Sequence, residues 1–240
     1  MRLVSFRWVG VLLAMLVVLA GCLPTTAPTI APTIAPTNPP TTPSDGAPGS
    51  PPVPVVGQSR LTADQLVAYY QSHHGTLTYR ATGATLAELA DLFVTEGNRY
   101  NVRGDIAFAQ AILETGWFNY PDAGIVRPGD NNFAGIGACS SCGDGYGFSS
   151  ARSGVRAQLQ LLRNYADADS RASALPDPPV PELWGLDPTR AVYNFDHYFA
   201  KGRAPTWNDM GNGNWATASD YATAVVGVYN RMLQYNGLGA

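Results

Sequence analysis

The sequence predicts a mainly α-helical domain with one small irregular or β-hairpin lobe forming a cleft. Three observations carry this. Thr62-Ala-Asp-Gln65 and Thr85-Leu-Ala-Glu88 each have the spacing of a capping box that opens a helix. Between Gly104 and Trp117 the chain is apolar on every side of a helical wheel, through Ile106, Phe108, Ala109, Ala111, Ile112 and Leu113. Residues 119–150 are rich in Gly, Asp, Asn, Ser and Pro, a composition that breaks both helix and strand.

Before the helical region lie two segments of another kind. Arg2 and Arg7 precede an apolar run from Val9 to Ala20, and Leu19-Ala-Gly-Cys22 has the small residues expected at a cleavage site. The apolar run is too short to span a membrane comfortably. Ending on Cys22, this leader resembles the lipobox of bacterial lipoproteins, so residues 1–21 are expected to be removed and Cys22 lipidated. Ordinary secretory cleavage and an uncleaved anchor are the alternatives. Residues 22–58 read as a tether: eleven of the nineteen prolines fall between residues 23 and 57, Ala-Pro-Thr-Ile recurs from Ala27, and Asp45 is the one charge there. Such a chain is extended and, at about 3.1 Å per residue, reaches on the order of 100 Å. An extracytoplasmic, lipid-anchored protein is therefore expected, with residues 59–240 as its domain; that it faces the cell wall is implied only by the resemblance given below.

Within that domain the elements follow in order. The first helix opens at Thr62, and Gly75–Arg80 reads as a short extended piece. The second helix carries Leu86, Leu89, Ala90, Phe93 and Val94 on one stripe and stops before Asn101. Asp105 is the expected N-cap of the central helix, with Gly116 near its end. Helical pattern resumes from Ser150 to about Asp167 with Val155, Leu159, Leu162 and Ala166 inward. Asp187-Pro188 pairs an N-cap with proline at the first helical position. Ser219 is the expected cap of a last helix carrying Tyr221, Val225, Val228, Tyr229 and Met232, stopped by Asn236-Gly237.

Bulk numbers exclude several classes. The 240 residues are 45% hydrophobic and 14% charged with a formal charge of −3. Without Arg2 and Arg7 the balance is 13 basic against 18 acidic residues, or −5. An acidic domain lacks the basic footprint of nucleic-acid binding. Cys139-Ser-Ser-Cys142 offers two thiols, and His73, His74 and His197 are the histidines, which makes no metal-ligand set. In an exported protein the Cys139–Cys142 pair is expected to form a local disulfide across a glycine-rich loop, with free thiols as the alternative. No cofactor or metal is expected, and the protein is expected to be a monomer.

One residue breaks the apolar helix. Glu114 sits in its last turn, with Gln110 one turn earlier on the same stripe and Trp117 and Phe118 just beyond. Burying a lone carboxylate is costly, and either its pKa rises or a partner neutralises it. Glu114 is thus a candidate general acid; a strut paired with an arginine is the alternative.

Ala109-Gln-Ala-Ile-Leu-Glu-Thr-Gly-Trp117 resembles the catalytic segment of bacterial peptidoglycan N-acetylglucosaminidases. Asn131-Asn-Phe-Ala-Gly-Ile-Gly137, the stretch from Gly147 to Tyr165, and Trp215-Ala-Thr-Ala-Ser-Asp-Tyr-Ala222 resemble the later segments of that family, in the same order. The resemblance implies a lysozyme-like fold and cleavage of the GlcNAc-β-1,4-MurNAc bond of peptidoglycan glycan strands, with Glu114 protonating the departing oxygen. Tyr221 matches a functional tyrosine of the family, whereas Trp215 stands where the family carries a tyrosine. Many members have a second glutamate in the irregular lobe; here none lies between Glu114 and Glu182, and Asp144 is the expected second carboxylate, a turn-forming Asp being its alternative role. A substrate-assisted route, in which the sugar's 2-acetamido oxygen attacks, stays open. Gln110, Trp117, Asn132, Phe133 and Tyr146 are expected at the substrate, and Phe118 and Trp207 are further stacking candidates. A lytic transglycosylase or muramidase, and a non-catalytic wall-binding lipoprotein, are the rival functions.

Overall fold

The computed structural model describes residues 52–73, 78–122, 124–139 and 143–239, with the backbone alone described at Cys139 and Gly143. The leader, most of the tether, Cys22, the first part of the Gly75–Arg80 piece and the Cys139–Cys142 pairing lie outside the described residues.

Seven helices and one two-stranded hairpin make up the described chain, so the expected mainly α class holds. Helix α1 spans Ala63–His73 and opens as its sequence dictates: Thr62 N–H donates to Gln65 Oε1 at 2.9 Å, and Gln65 N–H to Thr62 Oγ1 at 3.3 Å. Helix α2, Leu86–Tyr100, has the full Thr85–Glu88 capping box and ends at Asn101 in the left-handed conformation.

Helix α3, Gly104–Glu114, is the hub, packed between α2 and the last helix. Gly104 through Ile112 are all buried, as its unbroken apolar composition requires. Its start departs from expectation. The helix opens at Arg103 without a side-chain cap, because Asp105 turns away to accept from Arg60 N–H at 2.8 Å and to pair with Arg103 at 3.3 Å. Asp105 thus anchors the incoming chain. Gly104 allows α2 and α3 to touch: a Cβ there would lie 1.9 Å from Phe93 O.

At the other end of α3 the chain reverses through Gly116, Trp117 and Phe118, all with positive φ (57°, 61° and 53°), and Tyr120 follows at 49°. Aromatic residues seldom adopt this conformation, which costs on the order of 1 kcal/mol each. Two local bonds and one tertiary bond hold it: Trp117 N–H donates to Ile112 O at 2.7 Å, Phe118 N–H to Thr115 Oγ1 at 2.9 Å, and Tyr70 O–H to Trp117 O at 2.7 Å.

The irregular lobe contains the expected hairpin, β1 (Ala138–Cys139) antiparallel to β2 (Gly143–Asp144), with Ala138 opposite Asp144. Helix α4, Ala151–Ala166, is capped by Ser150, whose hydroxyl accepts from Ser153 N–H at 3.1 Å. Helix α5 (Pro181–Trp184) is short; α6 (Pro188–Asp196) has the expected Asp187 cap. The final helix, α7, runs Tyr221–Tyr235 and stops at Asn236, followed by Gly237 at φ 71°. Its first turn carries no side-chain cap: the residue at the cap position is Asp220 rather than the expected Ser219.

Packing extends into the stretch assigned to the tether. Val55 is wholly buried, its N–H donates to Pro205 O at 3.1 Å, and Arg103 N–H donates to Val55 O at 2.9 Å. The packed region therefore reaches back to about Val53, whose N–H donates to Asn208 Oδ1 at 2.9 Å. Val55 and Val56 are the β-branched residues among prolines that make this docking possible.

Candidate active site

Three helices converge on Glu114. It is the last residue of α3, Tyr221 is the first of α7, and Gln158 lies mid-way along α4. Glu114 keeps a partly exposed edge, whereas Tyr221, Trp215, Gln110 and Gln158 around it are buried. Tyr221 O–H donates to Glu114 Oε1 at 2.5 Å. Glu114 makes no ion pair among the described residues, so the strut alternative is not what the side chain does.

Its electrostatics follow from that company. Burial disfavours the charged carboxylate and dominates, pushing the pKa up to about 7; the Tyr221 hydroxyl and the Trp215 indole pull it part of the way back. Trp215 Nε1–H is buried without an acceptor at full hydrogen-bond geometry, so it acts on Glu114 as a nearby dipole. Tyr221 is itself held far above the ordinary tyrosine range by burial first and by the Glu114 charge second, which keeps it an O–H donor.

The remaining expected residues separate into two groups. Gln110 is not at the surface: it is wholly buried, donating through Nε2 to Tyr221 Oη at 2.8 Å and accepting from Gln158 Nε2 at 2.8 Å. Asn132 is also wholly buried. Its Oδ1 accepts from Ile136 N–H and its Nδ2 donates to Ile136 O, both at 2.9 Å, so it shapes the lobe and has no free edge for a sugar. Phe133 and Phe118 belong to an edge-to-face core cluster with Phe93 and Phe108, and Trp207 is wholly buried. Those placements correct the substrate-contact expectations for all five: packing drew the aromatic side chains inward, and buried hydrogen bonds hold the two amides.

Trp117 and Tyr146 are partly exposed. Trp117 stacks on Tyr69 at 5.9 Å, and Tyr146 lies parallel to Phe148 at 6.4 Å. Asp144 is 86% exposed and faces Arg127 at 3.7 Å. That pair is long and open to solvent, and among the described residues nothing buries the carboxylate as a second catalytic group requires.

The sequence reading missed Gln158 and the surroundings of Trp215. Trp215 helps to line a recess of about 190 Å³ with Tyr165, Phe199, Arg203, Asn214 and Thr217. The one signal for Gln158 was a glutamine beside the apolar stripe of Val155, Leu159 and Leu162.

Against known proteins, the pattern of the family described as Mannosyl-glycoprotein endo-beta-N-acetylglucosaminidase matches residues 90–234, more than half of the chain and inclusive of Glu114 and Tyr221. The chain belongs to the glucosaminidase family. It is accordingly a glycosidase, and the helical domain described above is its glucosaminidase domain. An uncharacterized protein of Borreliella burgdorferi is 27% identical over 182 residues, covering 76% of this chain and 78% of the relative. Among solved structures, the glucosaminidase domain is similar to S. aureus Autolysin E in complex with the muropeptide NAM-L-ALA-D-iGLU, at 15% identity and a TM-score of 0.41, over 77% of this chain and 72% of that one. A catalytic mutant of the same autolysin in complex with the disaccharide NAG-NAM aligns with a TM-score of 0.40 at 15% identity, over the same shares of each chain.

Proposed function

We propose that this glucosaminidase is a peptidoglycan hydrolase that cleaves the GlcNAc-β-1,4-MurNAc bond, with Glu114 as general acid. The observation that carries the proposal is a glutamate at a helix end, hydrogen-bonded by Tyr221, with a pKa raised to about 7 and no cation among the described residues to neutralise it. A group poised near neutrality can hold a proton and still surrender it. The family and the ordered resemblance of residues 109–117, 131–137, 147–165 and 215–222 support the bond assignment.

The chemistry follows the geometry. Neutral Glu114 protonates the departing glycosidic oxygen as positive charge grows at the anomeric carbon. The new carboxylate is met at once by Tyr221 O–H and the Trp215 dipole, donors already in place and needing no reorganisation. The exposure of Asp144 and its pair with Arg127 favour attack by the substrate's own 2-acetamido oxygen over a second carboxylate. Cys22 would tether this activity to the membrane; loss of membrane fractionation in Cys22→Ser tests that anchor, and unchanged fractionation refutes it.

Mass spectrometry of muropeptides released from purified sacculi tests the bond choice. Reducing GlcNAc ends are expected from wild type and none from Glu114→Gln. Reducing MurNAc or 1,6-anhydro-MurNAc ends would replace the assignment by a muramidase or a lytic transglycosylase, and binding without release would make the domain a wall-binding module.

A further inference from the structure

The buried amides behind Tyr221 are more than packing. Gln158 Nε2 donates both to Ala107 O, at 3.1 Å, and to Gln110 Oε1, at 2.8 Å; Gln110 Nε2 donates to Tyr221 Oη at 2.8 Å; Tyr221 O–H donates to Glu114 Oε1 at 2.5 Å. Four side chains from α4, α3 and α7 thus form one unbranched line of donors, and three of them are buried throughout.

The direction of that line is imposed by the main chain. An amide side chain can in general be flipped, and its orientation must be argued from its partners. Ala107 O is a carbonyl and can only accept. Gln158 must therefore turn its NH2 towards it, which also aims an N–H at Gln110. Gln110 then presents its carbonyl to Gln158 and its N–H to Tyr221. With its oxygen accepting from Gln110, the Tyr221 hydroxyl has its single hydrogen left for Glu114. Flipping Gln158 would set its oxygen against two acceptors. The cost of the observed choice is visible in Gln158 Oε1, which is buried without a donor.

We infer that Gln158 and Gln110 are positioning residues that fix the Tyr221 hydroxyl as a donor to Glu114 Oε1, so that the acid's transferable proton resides on Oε2. With Oε1 occupied as an acceptor, a neutral Glu114 has one oxygen left to carry hydrogen. The amides thereby decide which oxygen faces the glycosidic bond as an acid, although neither touches substrate. They also polarise Tyr221, strengthening its support of the carboxylate left after transfer. The inference rests on Glu114 being the general acid.

A double-mutant cycle tests it on the full-length protein with sacculi as substrate. Gln110→Met and Gln158→Met preserve bulk and remove the donor line. Each is expected to lower kcat about tenfold with KM unchanged, and to move the alkaline limb of the kcat profile upward as Glu114 loses its polarised donor. In a Tyr221→Phe background the same substitutions should change kcat by less than about twofold, because the group they act through is gone. Multiplicative effects in that background would overturn the relay, as would full activity in Tyr221→Phe. Should Gln110→Met not fold, the Gln158→Met arm decides by the same criterion. A Glu114→Gln variant separates the two levels: if it stays active, the acid assignment fails and the relay with it; if it is inactive while the amide effects are multiplicative, the relay alone fails.

Discussion

Glu96 and Glu114 are both glutamates set on apolar helix faces, and the fold treats them in opposite ways. Glu96, in α2, is 1% exposed and surrounded by cations: Arg99 donates at 2.9 Å, Arg156 at 3.0 and 3.1 Å, and Arg152 joins them from the same helix as Arg156. Asp177 completes the cluster by bridging Arg99 at 2.9 Å and Arg156 at 3.2 Å. Among the described residues, Glu114 meets neutral donors alone. A carboxylate ringed by guanidinium groups serves as an ion-pair strut that ties α2 to α4, whereas one ringed by a phenol and an indole is left with its pKa near neutrality. What separates a strut from an acid is thus chiefly the charge of its neighbours.

That contrast can be broken most strongly at Glu114. Glu114→Gln should lower glycan cleavage by about 10²- to 10⁴-fold, the usual range for losing a general acid, as read by release of reducing ends. Its stability should change in the favourable direction. The folded protein holds a proton on Glu114 up to about pH 7 whereas the unfolded chain releases it near 4.5, so wild-type stability falls as pH rises through that window. At about 1.4 kcal/mol per pKa unit the variant should gain on the order of 3 kcal/mol at pH 8 and nothing at pH 4, measured by denaturant unfolding.

Glu96→Gln should do the reverse. Removing the charge that gathers three arginines should destabilise the fold by about 2–4 kcal/mol, less than for a fully dry cluster because Arg152 and Arg99 remain partly solvated and Asp177 still pairs with Arg99 and Arg156, while kcat of the folded fraction stays within about twofold. Asp144→Asn should do least. Its carboxylate is 86% exposed, and the pair with Arg127 at 3.7 Å is screened, so kcat should change by less than about twofold; a hundredfold loss would reinstate Asp144 as a second catalytic group.

The two glutamates also show how far the sequence can be read. Most local signals translated directly: both capping boxes, the Asn101 and Gly237 stops and the Asp187 cap depend on residues within a few positions of each other, whereas the expected Asp105 and Ser219 caps did not form. Glu114 stood out because it interrupts an apolar helix. Glu96 interrupts an apolar stripe too, and what distinguishes them is supplied by Arg152 and Arg156, 56 and 60 residues downstream, which no local pattern reveals. The same applies to Gln110, expected at the substrate and found behind Tyr221, and to Gln158, which acquires meaning only when α4 is packed on α3. The left-handed turn at Trp117 and Phe118 was equally hidden. Nothing in those side chains favours it, and the bonds that hold it come from Tyr70 and the end of α3.

The central claim is that Glu114 carries a proton near neutral pH. It can be watched directly by titrating ¹³C-carboxyl-labelled glutamate resonances in wild type and in Glu114→Gln. One resonance with a midpoint near pH 7, absent from the variant, is the predicted result; a Glu114 midpoint below about 5 would contradict the account, because the acid would then be spent before the reaction began.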